Sequence, residues 1–147
     1  RYRLAKGSRR HHARSTRGAL LIMTVEQLMA REQIRHTLSA YNRAGDADEP
    51  EPFANCFTQD GIIDAVGFHF EGRERIFEWK SGSKVFASNA SGKPADFRTH
   101  HVSSIFIDLT SDQTARVRSC WLVMTEVGLD HSGVYNDTFR RVGEEWV

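Results

Sequence analysis

Apolar residues recur every three or four positions in the first regular stretch of the chain, which is the spacing of one face of an α-helix. Thr24 and Gln27 form a capping-box pattern at its start, and Gly45 is the type of residue that ends a helix in the left-handed conformation. The pattern predicts a helix from Thr24 to Gly45, so that Asp46 follows its end. The residues on the predicted buried face are Ala30, Ile34, Leu38 and Tyr41.

Shorter elements are predicted in the middle of the chain. Prolines and acidic residues at 48–52 indicate the first turn of a second helix. Residues 62–70 predict two short strands that are separated at Gly67, and residues 73–79 predict a third helix. The stretch 81–94 is rich in Ser, Gly, Asn and Lys and predicts a loop that serves as a mobile flap.

From Phe97 onward the apolar period changes to two, as in β-strands. In the first long strand His101 is in phase with Ile105 and Ile107, so His101 is predicted to point inward and His100 outward. Two further strands follow, and helices before long antiparallel strands predict an α+β fold. The remaining predicted inward positions are Ser103, Leu109, Ala115, Val117, Ser119, Trp121, Val123, Tyr135, Asp137 and Phe139.

Charge separates the beginning of the chain from the rest. The 147 residues have a net charge of +1, but residues 1–22 hold seven Lys and Arg and no acid, which leaves residues 23–147 at −6. The apolar part of 1–22 is too short for a secretory signal, and the segment lacks the aromatic interleaving of a nucleic-acid-binding arm. We interpret 1–22 as a disordered or non-native extension of one domain, 23–147, that begins naturally at Met23.

Several function classes have no motif in this sequence. There is no dinucleotide or Walker glycine loop, no HExxH zinc motif and no GxSxG serine-hydrolase motif. No apolar run approaches the length of a membrane-spanning helix. Cys56 and Cys120 have no metal or redox spacing, which favours a reduced, cytoplasmic setting. We therefore expect no metal, no cofactor, no nucleic acid and no membrane among the partners.

Taken singly, the candidate polar residues each have an ordinary structural explanation. An inward His101 beside Ser103 is either a hydrogen-bonded core residue or a site residue, because buried polar groups normally have partners. Asp46 alone is most often a turn or cap residue. Tyr41 alone is most often a core residue with its hydroxyl at an edge. Asp137 is as readily a cross-strand structural partner as a pocket residue.

Five loose motifs, taken together in their order, resemble one known family. They are Tyr41-x4-Asp46, Phe57-Thr58-x-Asp60-Gly61, Gly72-Arg73-x2-Ile76, Thr99-His100-His101-Val102-Ser103 and Gly133-x-Tyr135-x-Asp137-x-Phe139-x-Arg141-x-Gly143-x2-Trp146. This set is similar to the SnoaL-like branch of the nuclear-transport-factor-2-like superfamily, from about Val25 to the end of the chain. The resemblance implies a cone-shaped, curved mixed sheet of about five to six strands, wrapped by about three N-terminal helices around a pocket.

The resemblance also implies a catalytic pair. Relatives that resemble scytalone dehydratase, bile-acid dehydratase and hexachlorocyclohexane dehydrochlorinase use an aspartate and a histidine that fall on Asp46 and His101, and the bile-acid enzymes add a tyrosine at Tyr41. A carboxylate that binds one imidazole nitrogen fixes the tautomer and aims the other nitrogen at a substrate. The sequence departs from the dehydratases at the strand after His101, where Trp121 stands in place of a further histidine or aspartate.

We therefore predict a small, cofactor-independent lyase or isomerase that uses Asp46 and His101 as its base and Tyr41 as acid or polariser on a hydrophobic small molecule. The alternatives are a non-catalytic ligand-binding or scaffold protein and, second, aldol chemistry like that of polyketide cyclases. A homodimer or higher homo-oligomer through the outer sheet face is expected. The predicted substrate-binding residues are Phe57, Phe68, Ser103, Trp121 and Asp137.

Overall fold

The computed structural model describes residues 22–82 and 89–147, and within them the chain forms three helices followed by the longest strands. The helices are α1 (Val25–Asp46), α2 (Pro50–Asn55) and α3 (Arg73–Gly82). The strands are β1 (Ile62–Ala65), β2 (Phe68–Glu71), β3 (Thr99–Leu109), β4 (Thr114–Thr125), β5 (Gly128–Val142) and β6 (Glu145–Trp146). The predicted extension 1–22 lies almost wholly outside the described residues, as do positions 83–88 of the predicted flap.

The predicted α+β class is confirmed. Strands β3 to β6 pair in sequence order as a curled antiparallel sheet, a half-barrel, and β1 pairs with β2 in a separate hairpin. A mixed sheet was predicted, whereas every strand pair in the described part of the chain is antiparallel. Of the helices in those same residues, none is both long and apolar enough to cross a bilayer.

Two apolar clusters attach α1 to the rest of the molecule. The first half of α1 packs on the inner face of the sheet through Ile34 and Leu38, and Ile34 is completely buried. The end of α1 packs through Ala44 against Phe53 of α2 and Ile76 of α3. Burial of one such aliphatic side chain contributes roughly 1.5–3 kcal/mol. The two clusters hold α1 at both ends and so fix the position of its last turn.

The start of α1 agrees with its predicted capping box, because Thr24 and Gln27 bind each other's backbone N–H groups. The end differs from prediction. The helix continues through Gly45 and Asp46, and the residue with a left-handed backbone is Asp48, at φ 52°. Aspartate tolerates this conformation better than most residues do. Asp46 therefore lies in the last helical turn.

An extra residue in β3 reverses the predicted phase of its first half. Ser103 pairs with Cys120 and Phe106 pairs with Arg118, so two residues of β3 oppose the single Ser119 of β4. Ser104 has φ 51°, and a bulge of this kind shifts the alternation by one position.

Because of the bulge, the predicted inward orientation of His101 and Ser103 is wrong. Both side chains are exposed, while His100 and Val102 are partly buried on the inner face. Beyond the bulge the predicted phase holds, since Ile107 is buried. The predicted alternation of β4 and β5 is also confirmed, with Ala115, Val117, Ser119, Val123 and Phe139 buried.

The positive φ at Ser104 predicts a stability difference between two adjacent serines. A left-handed conformation costs a non-glycine residue roughly 1–2 kcal/mol, whereas glycine in an extended strand costs roughly 0.5–1 kcal/mol. Ser104→Gly should raise the free energy of unfolding by roughly 0.5–1 kcal/mol, and Ser103→Gly should lower it by a similar amount. Urea denaturation of both variants measures the difference. An equal loss of stability in both would contradict the bulge.

Candidate active site

Asp46 and His100 form an ion-pair geometry where the end of α1 meets the start of β3. Asp46 Oδ1 lies 2.5 Å from His100 Nδ1, and Asp46 Oδ2 accepts a hydrogen bond of 2.8 Å from the backbone N–H of His100. Both side chains are 19% exposed. The carboxylate thus binds both the ring and the main chain of one residue, which fixes the ring orientation and leaves Nε2 for a ligand.

Basic side chains hold the segment that follows Asp46. Lys80 Nζ lies 2.6 Å from Asp48 Oδ1 and 3.2 Å from the carbonyl oxygen of Gly45. Arg98 Nη2 lies 3.1 Å from the same Asp48 oxygen. The hydrogen bond from Lys80 and the nearby charge of Arg98 lower the pKa of Asp48. Since Arg98 precedes His100 by two residues, these contacts hold the end of α1 against the start of β3.

Trp121 lies beside His100 on the inner face of the sheet. The centroids of the two rings are 6.1 Å apart, and the indole stacks on Tyr135 with a centroid distance of 5.5 Å. The indole lies over Gly133, where an added Cβ would come within 2.5 Å of the Trp121 ring. A residue without a side chain is therefore needed opposite Trp121.

Two tyrosines extend the site beneath α1. Tyr41 contacts Phe53, Phe57 and Tyr135, with ring centroids 4.6, 5.8 and 5.9 Å away. The hydroxyl of Tyr135 donates to Asn42 Oδ1 at 3.3 Å. Burial raises the pKa of both phenols far above the ordinary value, and the negative charge of nearby carboxylates raises it further. Both phenols therefore stay protonated, and Tyr135 already donates its proton to Asn42.

Three buried polar atoms on this face have no hydrogen-bond partner in the described structure: Trp121 Nε1, Ser119 Oγ and Asp137 Oδ2. Ser119 pairs across the sheet with Tyr135, and Trp121 pairs with Gly133, so these groups are neighbours on the sheet. Burial raises the pKa of Asp137 to about 6. Unpartnered buried polar atoms are rare, so these three are suited to bind water or the polar part of a ligand.

The predicted site residues separate into two groups. Asp46, Tyr41, Trp121 and Asp137 lie around the inner face of the sheet. Phe57 lies next to them, against Tyr41. Phe68 belongs to an aromatic group on the β1–β2 hairpin and α3, where it stacks with Trp79 at 5.1 Å. His101 and Ser103 lie outside the group, on the exposed face of β3.

Three residues that contribute to this site were not predicted: His100, Tyr135 and Asn42. His100 was not predicted because the alternation of inward and outward residues was taken to be regular along the whole of β3, without a bulge. Tyr135 was predicted to face inward, in phase with Asp137, but not to be a site residue. Asn42 is buried on α1, where its Nδ2 donates to the carbonyl oxygen of Leu38 at 2.7 Å. A polar residue beside the apolar stripe gave no clear signal.

Other features of the surface lie away from the pair. A cleft of about 780 Å³ is lined by His69, Phe70, Glu71, Arg75, Glu78 and Trp79, and neither Asp46 nor His100 borders it. A depression of about 340 Å³ lies around Phe106 and Arg118. Residues 22–82 and 89–147 contain no group of three or more His, Cys, Asp or Glu side chains placed to hold a metal ion.

Solved structures of low sequence identity share this fold. A candidate scytalone dehydratase from Novosphingobium aromaticivorans DSM 12444 is 26% identical, with a TM-score of 0.67 over 84% of this chain and 82% of that one. An NTF2-like protein with a cystatin-like fold from N. aromaticivorans is also 26% identical, with a TM-score of 0.68 over 81% and 77%. The hexachlorocyclohexane dehydrochlorinase LinA-type3 from Novosphingobium barchaimii LL02 is 15% identical, with a TM-score of 0.67 over 83% of each chain, and this likeness concerns the fold alone.

No curated protein matches the sequence. The SnoaL-like domain, in contrast, matches residues 26–147. Since that match covers most of the chain, this protein belongs to the SnoaL-like domain family.

Proposed function

We propose that this protein is a cofactor-independent lyase or isomerase in which Asp46 and His100 form the general base. The observation that carries the proposal is the double hydrogen bond from His100 to the Asp46 carboxylate. It holds the imidazole with Nδ1 toward Asp46 and leaves Nε2 to take a proton from carbon. The family and the candidate dehydratase among its structural relatives support elimination chemistry.

Proton abstraction by His100 produces an imidazolium, and the neighbouring carboxylate of Asp46 stabilises it. The low exposure of both side chains strengthens this interaction, because water screens it less. A well-placed general base contributes about a hundred- to ten-thousand-fold to a rate. Such chemistry suits a substrate whose carbon acid is activated by a carbonyl group or by a leaving group on the next carbon.

The polar groups deeper on the inner face suit the oxygen atom of such a substrate. The hydroxyl of Tyr41 is a protonated donor, and Trp121 Nε1 is a donor without a partner among the described residues, whereas the hydroxyl of Tyr135 already donates to Asn42. Hydrogen bonds to an oxygen that gains charge in the transition state are among the largest contributions to catalysis. We therefore infer a substrate with an apolar body, against Trp121 and Phe57, and a polar oxygen, besides any leaving group, that accepts from Tyr41 or Trp121 Nε1.

The second candidate function is non-catalytic binding of a similar ligand. The unpartnered Ser119 Oγ and Asp137 Oδ2 favour it, because a bound ligand would satisfy them without any reaction. Under this alternative, His100 contributes a hydrogen bond to the ligand, and its replacement changes affinity alone.

Self-association through the outer sheet face remains a proposal. That face exposes Phe106, which is 67% accessible, and Val134, next to Arg116 and Arg118. A contiguous apolar patch exposed on a sheet face is typical of surfaces that pair with another protein.

The two adjacent histidines of β3 provide a matched test of the base. 5-Nitrobenzisoxazole opens its ring when a base removes one carbon-bound proton, and the product absorbs visible light. We expect the wild type to accelerate ring opening, and His100→Gln and Asp46→Asn to lose about a hundred-fold or more of that acceleration. His101→Gln is the control and should stay within about two-fold of wild type, since the side chain lies outside the site.

Two results would contradict the base proposal: a wild type without acceleration, or equal rates in His100→Gln and His101→Gln. Far-ultraviolet circular dichroism and urea denaturation of each variant show whether the fold is intact.

Burial of Asp137 makes stability depend on pH in a defined direction. Its pKa is about 6 in the folded protein against an ordinary 3.8, so the folded state holds this proton more tightly than the unfolded chain. The contribution of Asp137 to the free energy of unfolding is therefore fully present below pH 4 and is lost as the pH rises through 6. The total loss is at most roughly 3 kcal/mol.

Asp137→Asn removes this titration. The free energy of unfolding of the variant, relative to wild type, should increase by roughly 1–3 kcal/mol between pH 4.5 and pH 7.5. Urea denaturation at both pH values measures the change, and Asp112→Asn in the exposed β3–β4 turn is the control. A pH-independent difference between wild type and Asp137→Asn would show that the carboxyl group is not perturbed by burial.

A further inference from the structure

A second imidazole–carboxylate pair lies on the same face of the sheet. His131 Nδ1 is 2.6 Å from Asp130 Oδ2. The other oxygen of Asp130 accepts a hydrogen bond of 2.5 Å from the backbone N–H of Ala90, and the hydroxyl of Thr125 lies 3.4 Å from it. Only 7% of the Asp130 side chain is exposed, whereas 45% of the His131 side chain is. The carboxylate is thus fixed, and its imidazole is accessible.

A bulge allows these neighbours to interact. Successive side chains of a regular strand point to opposite faces, so adjacent residues cannot pair through their side chains. In β5, His131 pairs with Val123 and Leu129 pairs with Met124, which leaves Asp130 as an extra residue. The bulge turns Asp130 toward the imidazole that follows it. Like Asp46, Asp130 binds Nδ1 of its histidine and leaves Nε2 for a ligand.

The two histidines occupy one row across three strands. His100 pairs with Val123 on β4, and Val123 pairs with His131 on β5. Their backbones are therefore two strand spacings apart, roughly 10 Å. The indole of Trp121 lies next to both, with ring centroids 6.1 Å from His100 and 5.3 Å from His131. A small molecule that lies on this indole can reach one imidazole from each side.

We propose that His131, held by Asp130, is the general acid that protonates the leaving oxygen while His100 removes the proton from carbon. This role rests on the proposed function. The carbon–hydrogen electron pair forms the new double bond, the bond to the leaving oxygen breaks with its pair, and the proton of His131 Nε2 passes to that oxygen. His100 ends protonated and His131 neutral; His100 then releases its proton to water and the exposed His131 takes one up from water, which restores the starting state.

The distance between His100 and His131 suits one histidine acting as base and the other as acid. A base and an acid each act from about 3 Å, and the proton and the leaving group of an elimination are on adjacent carbons. The two ring nitrogens that flank such a substrate are then roughly 7–8 Å apart, which is within reach of side chains on strands whose backbones are roughly 10 Å apart. A single imidazole could not contact both ends of that arrangement.

Two benzisoxazoles that differ only in their leaving group test the acid. Unsubstituted benzisoxazole releases a more basic phenoxide than 5-nitrobenzisoxazole does, so it depends more on an acid. His131→Gln should lose about ten-fold or more of the rate with benzisoxazole and less than about three-fold with the nitro compound. Asp130→Asn should also lose more of the rate with benzisoxazole than with the nitro compound, but by a smaller factor than His131→Gln.

The control is His69→Gln. His69 is a comparably exposed histidine, 57% accessible, and its Nδ1 lies 3.6 Å from Asp64 on the β1–β2 hairpin. The His69→Gln substitution should leave the rates with both benzisoxazoles unchanged. If His131→Gln loses the same factor of rate with both probes, the acid role is overturned. If His100→Gln still loses rate in that case, the base proposal survives.

Binding of the product 2-hydroxybenzonitrile gives a measurement that does not need turnover. His131→Leu should weaken its binding about ten-fold or more, as measured by calorimetry, and His69→Leu should leave it unchanged. If the wild type turns over neither probe, the base proposal fails on its own. If, in addition, His131→Leu binds 2-hydroxybenzonitrile as tightly as wild type does, the proposed contact of His131 with the leaving oxygen is also overturned.

Discussion

Two hydrogen bonds from one residue of β3 to one carboxylate of α1 connect the helical layer of this protein to its sheet. Asp46 can make them because α1 continues one residue past Gly45, and because His100 faces inward. The apolar clusters at both ends of α1 place that last turn, and the contacts of Lys80 and Arg98 with Asp48 hold it. The chemistry of the site thus depends on packing far from any reacting atom.

The inner face of the sheet combines apolar walls with polar atoms that have no hydrogen-bond partner in residues 22–82 and 89–147. Trp121 occupies the centre and contacts His100, His131 and Tyr135. Gly133 makes room for the indole. Beyond the indole, the buried Ser119 and Asp137 are without partners among the described residues. The site is consequently more polar than the sequence suggested, and a ligand with one oxygen-bearing end fits it better than a pure hydrocarbon.

The sequence was sufficient for the fold class and for most element positions. The capping box at Thr24, the alternation of β4 and the glycine between β1 and β2 are local features, and each was recognised from neighbouring residues. The resemblance to the SnoaL-like family identified Asp46 as a candidate site residue. Local patterns could not identify which histidine faces it, since that depends on how β3 pairs with a strand that follows it.

The end of α1 was mispredicted for a similar reason. Glycine often ends a helix, but the contacts that allow Asp48 to take the left-handed conformation come from Lys80 and Arg98, distant in sequence. Asn42 and Tyr135, on different elements, meet only after folding. The sequence therefore showed which types of residue were available for a site, and the tertiary structure determined which of them lie together.

The bulge at Ser104 has a consequence for how this site can change during evolution. A one-residue slip of the first half of β3 that removes the bulge would pair His101, instead of His100, with Val123 and turn it toward the interior. Because two histidines stand side by side, either register of the strand presents an imidazole to the helical layer. The tandem pair therefore keeps an imidazole on the inner face even if the bulge is lost.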